Sequence, residues 1–154
     1  MESSNVFEQS RSKAQSILFL CGMNAIRSPI AEAIARSILP VAYFISSAGV
    51  SKGEADPFVP TILAERGLNL PSHEPHAFDE LGDDYFDLII ALSPEAHHRA
   101  IALTSSKSVD VEYWLLPDPS LTTGTREQIL DQYRNVRDTL EAQIRQRFKH
   151  QIEQ

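Results

Sequence analysis

The chain has 154 residues, a formal charge of −7 at pH 7 and a single cysteine. This length suits one domain with a substantial hydrophobic core, and the acidic charge argues against a general nucleic-acid binder. One cysteine excludes an internal disulfide framework and suits a reducing compartment. No apolar run approaches the roughly 20 residues of a membrane span, and the first 15 residues lack the apolar region of a signal peptide. The sequence therefore predicts a cytoplasmic protein without a membrane partner.

The N-terminal part of the chain predicts a loose arm, a buried strand and a helix. Residues 1–15 are polar and rich in Ser and Gln, which is typical of an arm. Ile17–Leu20 predicts a strand buried on both faces, and Cys21 ends it. Ser28 followed by Pro29 indicates a helix start with Ser28 as the N-cap. Apolar residues then recur at every fourth position, which gives the helix one apolar stripe: Ile30, Ile34 and Ile38.

The loop between this strand and this helix has the composition of an anion site. Its backbone N–H groups and the helix N-terminus can converge on a phosphate-like oxyanion. Beside the Arg27 guanidinium, the Cys21 thiol is expected to be ionised at neutral pH and able to attack phosphorus. Arg27 can hold two phosphoryl oxygens at once, and the Ser28 hydroxyl can donate to the sulfur. Gly22 permits close approach of backbone to an anion, and Asn24 tolerates the left-handed conformation of tight loops.

Strands and helices then continue to alternate. A second strand is predicted at Val41–Ser47, and Asp56-Pro57 has the cap-plus-proline signature of a helix start. Asp87–Leu92 predicts a third, buried strand, and Ser93-Pro94 indicates the start of the next helix.

The last third of the chain predicts an edge strand and one long helix. Val109, Val111 and Tyr113 alternate with polar residues, as in a half-covered strand. Thr125 and Gln128 form the sequence signature of a capping box. One apolar stripe follows: Ile129, Tyr133, Val136, Leu140, Ile144 and Phe148. This order predicts parallel βαβ units, and therefore a single doubly wound α/β sandwich in which a central four-stranded parallel sheet carries helices on both faces and the site at the strand C-terminal ends.

A phosphoryl-transfer site of this kind also needs an acid that protonates the leaving oxygen. Asp118 in Pro117-Asp118-Pro119 follows the fourth strand, so its loop is expected to overhang the same end of the sheet. Asp56 is the weaker candidate, because Asp56-Pro57 is also an ordinary helix start.

Cys21, five intervening residues and Arg27-Ser28, running into Pro29–Ala33, resemble the phosphate loop of the low-molecular-weight protein tyrosine phosphatases. The thioredoxin-coupled arsenate reductases share that fold. The resemblance covers about residues 16–150 as one phosphatase-like domain. It implies a phosphomonoester hydrolase with a cysteinyl-phosphate intermediate, no metal and no organic cofactor. The implied partner is a phosphorylated protein or a small phosphomonoester.

The resemblance also implies roles for individual residues. The catalytic ones are Cys21, Arg27 and Asp118. The phosphate-binding ones are Gly22, Met23, Asn24, Ala25, Ile26, Arg27 and Ser28. Side chains that brace the loop are Asn24, Ser28, Ser47 and His73.

Three departures from the family pattern affect the expected substrate. Met23 and Ile26 stand where these phosphatases usually have Gly and a second Cys, so Cys21 has no local partner for a protective disulfide. Residues 120–123 lack the tyrosines that wall an aryl substrate, and residues 50–53 offer no aromatic side chain either. These departures argue against phosphotyrosine as the natural substrate, although not against phosphoryl chemistry.

Two alternative functions use the same loop. One is an arsenate reductase that depends on an external thiol, because a single cysteine excludes an internal disulfide cascade. The other is a module that binds phosphate or a phosphoprotein with little catalysis.

Overall fold

The computed structural model of the chain describes residues 16–23, 26–70, 75–81, 86–104 and 108–152. The predicted arm, residues 1–15, lies outside them. The elements in chain order are β1 Ser16–Cys21, α1 Arg27–Ile38, β2 Phe44–Gly49, α2 Phe58–Ala64, β3 Leu88–Ala91, α3 Pro94–Thr104, β4 Asp110–Tyr113, α4 Arg126–Arg147 and α5 Lys149–Ile152. Two short 3-10 helices span Phe78–Leu81 and Pro119–Leu121.

The four strands form one parallel sheet in the order β2-β1-β3-β4. β1 is central, with Cys21 opposite Gly49 on β2 and Leu20 opposite Ala91 on β3. The chain moves from β1 to β2 on one side and returns to β3 on the other. The C-terminal end of β1 is therefore the point at which the strand order reverses, where doubly wound folds bind ligands.

Helices cover both faces of this sheet, which confirms the predicted fold class. Ile17 and Phe19 of β1 belong to the core shared with α1, α2 and α4. Leu18 and Leu20 point the other way, into a smaller core shared with α3. All four side chains are fully buried, as expected for a strand covered on both sides.

β2 begins three residues later than predicted. Val41 is fully exposed and lies in a turn that the Tyr43 N–H closes on the Pro40 carbonyl at 3.0 Å. The strand starts at Phe44 and continues to Gly49. The prediction was wrong at this boundary because an apolar residue inside a tight turn has the same sequence signal as a strand residue.

The prediction of Ser28 as an N-cap was also wrong. α1 begins at Arg27, Ile26 is its N-cap, and no side chain caps it. Ser28 lies in the first turn and is fully buried, with its hydroxyl 3.0 Å from the Cys21 sulfur and 3.3 Å from the Ala48 carbonyl oxygen. The hydroxyl joins the strand ends instead of the helix amides.

The other helix starts lie at their sequence signals or one residue later. The Ser93 hydroxyl accepts from the Ala96 N–H at 3.2 Å, and Thr125 and Gln128 form both bonds of the capping box. α2 starts one residue later than the Asp56-Pro57 signal predicted, with Pro57 as its N-cap, although Asp56 Oδ1 still accepts from the Phe58 N–H at 2.8 Å. Side-chain acceptors of this kind satisfy amides that have no partner within the helix.

The predicted apolar stripe of α4 is buried in the core that it shares with α1 and α2. Tyr133, Val136, Leu140 and Ile144 are buried along the helix, and Phe148 is buried directly after it. Within the described ranges, no helix combines the length and apolar character needed to span a bilayer.

Candidate active site

Cys21 ends β1 at the base of a pocket. Only 2% of the residue is exposed, and its sulfur lies 3.0 Å from the Ser28 hydroxyl oxygen. An ionised sulfur can only accept a hydrogen bond, so Ser28 is the donor when Cys21 is a thiolate. The structure thus places a charge-stabilising hydroxyl beside the expected nucleophile.

Arg27 is held at the same pocket by contacts from the segment that follows β4. Its side chain is 11% exposed, and Nη1 donates to the Leu116 carbonyl oxygen at 3.1 Å. Nη2 lies 4.0 Å from Oδ2 of Asp118. These contacts fix the guanidinium plane, which is the requirement for bidentate binding of phosphoryl oxygens.

Asp118 presents one carboxylate oxygen to the pocket. Oδ1 accepts from the Ser120 N–H at 2.9 Å and from the Ser120 hydroxyl at 2.7 Å. Oδ2 is the oxygen that faces Arg27. An acid whose one oxygen is held while the other faces the ligand space is suited to directional proton transfer.

The pocket has a volume of about 210 Å³, enough for a tetrahedral oxyanion and part of its substituent. It is lined by Cys21, Met23, Ile26, Arg27, Gly53, Glu54, Asp56, Asp118 and Ser120. The three side chains with predicted catalytic roles therefore face one space. Among these described lining residues none is aromatic, in agreement with the departures noted in the sequence.

The phosphate loop is described only in part. Gly22 and Met23 follow Cys21, and Ile26 precedes the helix, whereas Asn24 and Ala25 lie outside the described residues. A Cβ atom on Gly22 would collide with the carboxylate of Glu95, in the first turn of α3. An acidic group therefore flanks the loop on the side of β3.

The segment after β2 is bonded to the first half of the phosphate loop. The N–H groups of Val50, Ser51 and Gly53 donate to the carbonyl oxygens of Cys21, Gly22 and Met23 at 2.9, 3.0 and 2.9 Å. The Ser51 hydroxyl also lies 3.4 Å from the Met23 sulfur. Met23 thus anchors this segment at the pocket rim.

Among the described residues, the side-chain partner of Ser47 lies on α1. Ser47 is fully buried, and its hydroxyl donates to Glu32 Oε1 at 2.6 Å. Glu32 in turn pairs with Arg36 at 2.9 Å. Its predicted bracing role would therefore act through α1, while Ser28 touches the sulfur directly and His73 lies outside the described residues.

Asp56 lines the pocket, but both of its oxygens are engaged. Oδ1 accepts from the Phe58 N–H and Oδ2 from the Tyr133 hydroxyl, each at 2.8 Å. Burial, followed by the hydrogen bond to Asp56, raises the pKa of Tyr133 well above its ordinary value. Tyr133 therefore remains a proton donor that holds Asp56 in place, which leaves Asp118 the freer acid.

Sequence reasoning missed several groups at this site. Glu54 and Glu95 belong to no periodic pattern or motif. The Leu116 carbonyl that holds Arg27 is a backbone group, so residue type does not indicate it. Ser120 had a usable signal, because Asp followed two residues later by Ser favours a local side-chain turn. Among the described residues, no group of three or more His, Cys, Asp or Glu side chains is arranged to hold a metal ion.

Comparisons with known proteins show which proteins share the sequence and the fold of this chain. Arsenate reductase of Halalkalibacterium halodurans is 27% identical over 129 residues, which cover 84% of this chain and 91% of the relative. The solved arsenate reductase of Archaeoglobus fulgidus is 29% identical with a TM-score of 0.68, covering 86% of this chain and 98% of the other. The tyrosine phosphatase Wzb of Escherichia coli K30, solved with sulphate, shares the fold at 23% identity, with a TM-score of 0.74 and coverage of 89% and 98%.

The family assignment rests on a match along most of the chain. A family model described as low molecular weight phosphotyrosine protein phosphatase matches residues 16–154. The relatives and solved structures compared above carry the names of phosphatases and of arsenate reductases. The chain therefore belongs to the low molecular weight phosphotyrosine protein phosphatase family.

Proposed function

We propose that this protein hydrolyses phosphomonoesters through a cysteinyl-phosphate on Cys21. The observation that carries the proposal is the convergence of Cys21, Arg27 and Asp118 on one pocket of about 210 Å³. Each group also has a partner that positions it: Ser28 for the sulfur, Leu116 for the guanidinium and Ser120 for the carboxylate.

In the first step the Cys21 thiolate attacks phosphorus. Arg27 and the loop amides hold the phosphoryl oxygens, and their charge is stabilised as the bond to the leaving oxygen breaks. Asp118, protonated at this stage, gives its proton to that oxygen from Oδ2. The products are a free alcohol or phenol, a Cys21–phosphorus bond and an ionised Asp118.

In the second step water releases the phosphate. The Asp118 carboxylate removes a proton from water as its oxygen attacks phosphorus, and the sulfur–phosphorus bond breaks. The departing sulfur again becomes a thiolate, and the Ser28 hydroxyl, 3.0 Å away, donates to it. Asp118 is then protonated for the next turnover.

The direct test compares wild type with Cys21→Ser on an aryl phosphate. We expect turnover by wild type and a loss of at least about 10⁴-fold in the variant, because a serine hydroxyl at this position is not ionised. If both proteins were equally inert and both bound inorganic phosphate, the chain would be a binding module instead.

Arsenate reduction is the second candidate, favoured by the names of the curated relatives. The Cys21 thiolate would form a sulfur–arsenic bond with loss of water. An external thiolate would attack the Cys21 sulfur, which releases arsenite and leaves a mixed disulfide. A second external thiol would restore Cys21, so two thiols supply the two electrons.

The requirement for an added thiol distinguishes arsenate reduction from phosphomonoester hydrolysis. Arsenate reduction requires an added thiol such as glutathione or reduced thioredoxin, whereas phosphate release requires none. Arsenate-dependent oxidation of the thiol, absent in Cys21→Ser and without any phosphate release from aryl phosphates, would replace the first candidate by the second.

A further inference from the structure

We infer that Glu54 is a specificity-determining residue, and that the pocket selects substrates with a positively charged group next to the phosphoryl group. The inference rests on the proposed function, since it concerns the same pocket. It names a substrate class for this chain, a cationic phosphomonoester, and the side chain that selects it.

The charges around the pocket are unequal. Arg27 is the one cation among its described lining residues, and it sits with the nucleophile. Glu54, Asp56 and Asp118 line the remainder. Once Arg27 and the loop amides hold the phosphoryl oxygens, the rest of the substrate faces carboxylates. A cationic group is attracted there and an anionic group is repelled.

Glu54 is placed at the rim by the backbone before it. Gly53 donates to the Met23 carbonyl oxygen at 2.9 Å, and a Cβ on Gly53 would come within 2.9 Å of the Met23 Cβ. This close packing, which only glycine permits, ties the segment to the phosphate loop. The Glu54 backbone is therefore fixed relative to the phosphate loop that follows Cys21.

The Glu54 carboxylate remains available to a ligand. The side chain is exposed, and within the described ranges no Lys, Arg or His forms a salt bridge with it. Asp56 differs, because Tyr133 and the Phe58 amide already occupy its oxygens. Asp118 differs as well, because the mechanism uses it. Glu54 is thus the carboxylate that can respond to the charge of the substrate.

The absence of an aromatic wall strengthens this reading. Without a ring among the described lining residues, an aryl group gains no stacking in the pocket. Charge is then the main feature by which the rim distinguishes one phosphomonoester from another.

The experiment measures dissociation constants of three non-hydrolysable benzylphosphonates that differ only in the para substituent: aminomethyl, hydroxymethyl or carboxymethyl. We expect the cationic compound to bind about fivefold more tightly than the neutral one, and the anionic compound to bind more weakly still, as for a partly exposed ion pair. The preference should shrink as salt is raised. Binding by calorimetry is independent of turnover, which is followed separately with an aryl phosphate.

Variants assign the preference to one side chain. Glu54→Gln should bring the cationic-to-neutral ratio close to one, and Glu54→Lys should reverse it. Glu141→Gln removes the same charge from α4, outside the pocket, and should leave the ratio at its wild-type value. Equal binding of the three compounds, no binding of any, or a ratio unchanged in Glu54→Gln would overturn the inference. If wild type preferred the cationic compound but did not hydrolyse the aryl phosphate, the result would count against the proposed function alone.

Discussion

The hydroxyl of Ser28 is the smallest group on which the account depends. It lies within hydrogen-bond distance of the Cys21 sulfur and of the Ala48 carbonyl oxygen, so it couples the nucleophile to the adjacent strand. A hydroxyl has one proton, and a thiolate is the stronger acceptor of the two. Ionisation of Cys21 therefore draws the proton toward the sulfur.

Removal of this hydroxyl should weaken catalysis more than stability. A hydrogen bond to a charged group contributes about 1.5–3 kcal/mol, so Ser28→Ala should lower kcat by about 10- to 100-fold and slow alkylation of Cys21 by iodoacetamide at pH 6. Steady-state kinetics with an aryl phosphate provide the measurement. Ser37→Ala is the matched control, because that hydroxyl donates to the Ile34 carbonyl within α1. Equal kinetics in the two variants would contradict the assigned role.

The role of Asp118 as general acid should be detectable in how the rate depends on the leaving group. Loss of a general acid costs about 10²–10⁴-fold, and the cost is greatest when the departing oxygen is basic. We expect Asp118→Asn to reduce kcat strongly with phenyl phosphate and much less with p-nitrophenyl phosphate. Asp56→Asn, which alters the carboxylate held by Tyr133, should not change the ratio of the two rates. A larger leaving-group effect in Asp56→Asn would transfer the acid role to Asp56.

The sequence indicated three side chains that line the pocket, whose catalytic roles stay predictions, but it did not indicate the groups that hold them. Cys21, Arg27 and Asp118 follow from residue type and spacing, because the chemistry requires a thiol, a guanidinium and an acid. The contributions of Leu116 and Glu54 were not predicted. The position of a backbone carbonyl or of a surface carboxylate relative to the pocket depends on how the chain folds.

Among the elements, the contact between α2 and α4 depends on Glu65. Arg134 donates to both of its oxygens, with the shortest contact 2.8 Å, and Arg137 donates to Oε1 at 2.7 Å. The hydrogen bonds from Arg134 and then Arg137 lower the pKa of Glu65 from 4.5 to about 2. A carboxyl whose pKa is lower in the folded state stabilises the fold above its unfolded pKa.

The stabilisation should therefore be lost as the pH falls from about 4.5 through about 2. Glu65→Gln should lower the urea midpoint at pH 7, and its difference from wild type should narrow across this acidic range. Glu127→Gln removes a single 3.2 Å contact with the same Arg134 and should have a smaller effect. A difference that does not depend on pH would show that the charge of Glu65 contributes nothing.

The boundaries of elements were predictable where a local bond determines them. The capping box at Thr125 and the hydroxyl cap at Ser93 act within one turn of the chain, so sequence reasoning found both. The predictions for Ser28 and Val41 were wrong for two different reasons. The Ser28 hydroxyl donates to the Ala48 carbonyl oxygen in β2, which is distant in sequence. Val41 lies in the tight turn after Pro40 and faces solvent, although an apolar residue there has the sequence signal of a strand residue.

For the whole molecule, the order of strands determines where the site lies. β1 is central and its C-terminal end meets the loops that follow β2 and β4. Alternation of strands and helices predicted the parallel sheet and a site at its strand C-terminal ends, whereas the strand order with β1 in the centre was not predicted. The contact of the segment after β2 with Met23 was not predictable, because it depends on how the folded loops pack.

The net charge of −7 should slow the capture of a dianionic substrate. Raising ionic strength from about 0.01 M to 0.1 M shortens the screening length from about 30 to 10 Å. We therefore expect KM for an aryl phosphate with an uncharged ring to fall by about twofold over this range of sodium chloride. The opposite trend would mean that Arg27 governs attraction at long range as well as binding.

In the proposed hydrolysis the phosphoryl group passes through the sulfur of Cys21. The most direct measurement is a single turnover of an aryl phosphate, quenched in acid within the burst phase and analysed by intact and peptide mass spectrometry. We expect one phosphoryl group on Cys21, formed as fast as the phenol and lost as fast as phosphate appears. Phosphate release without modified Cys21, or a phosphoryl group on another residue, would contradict it.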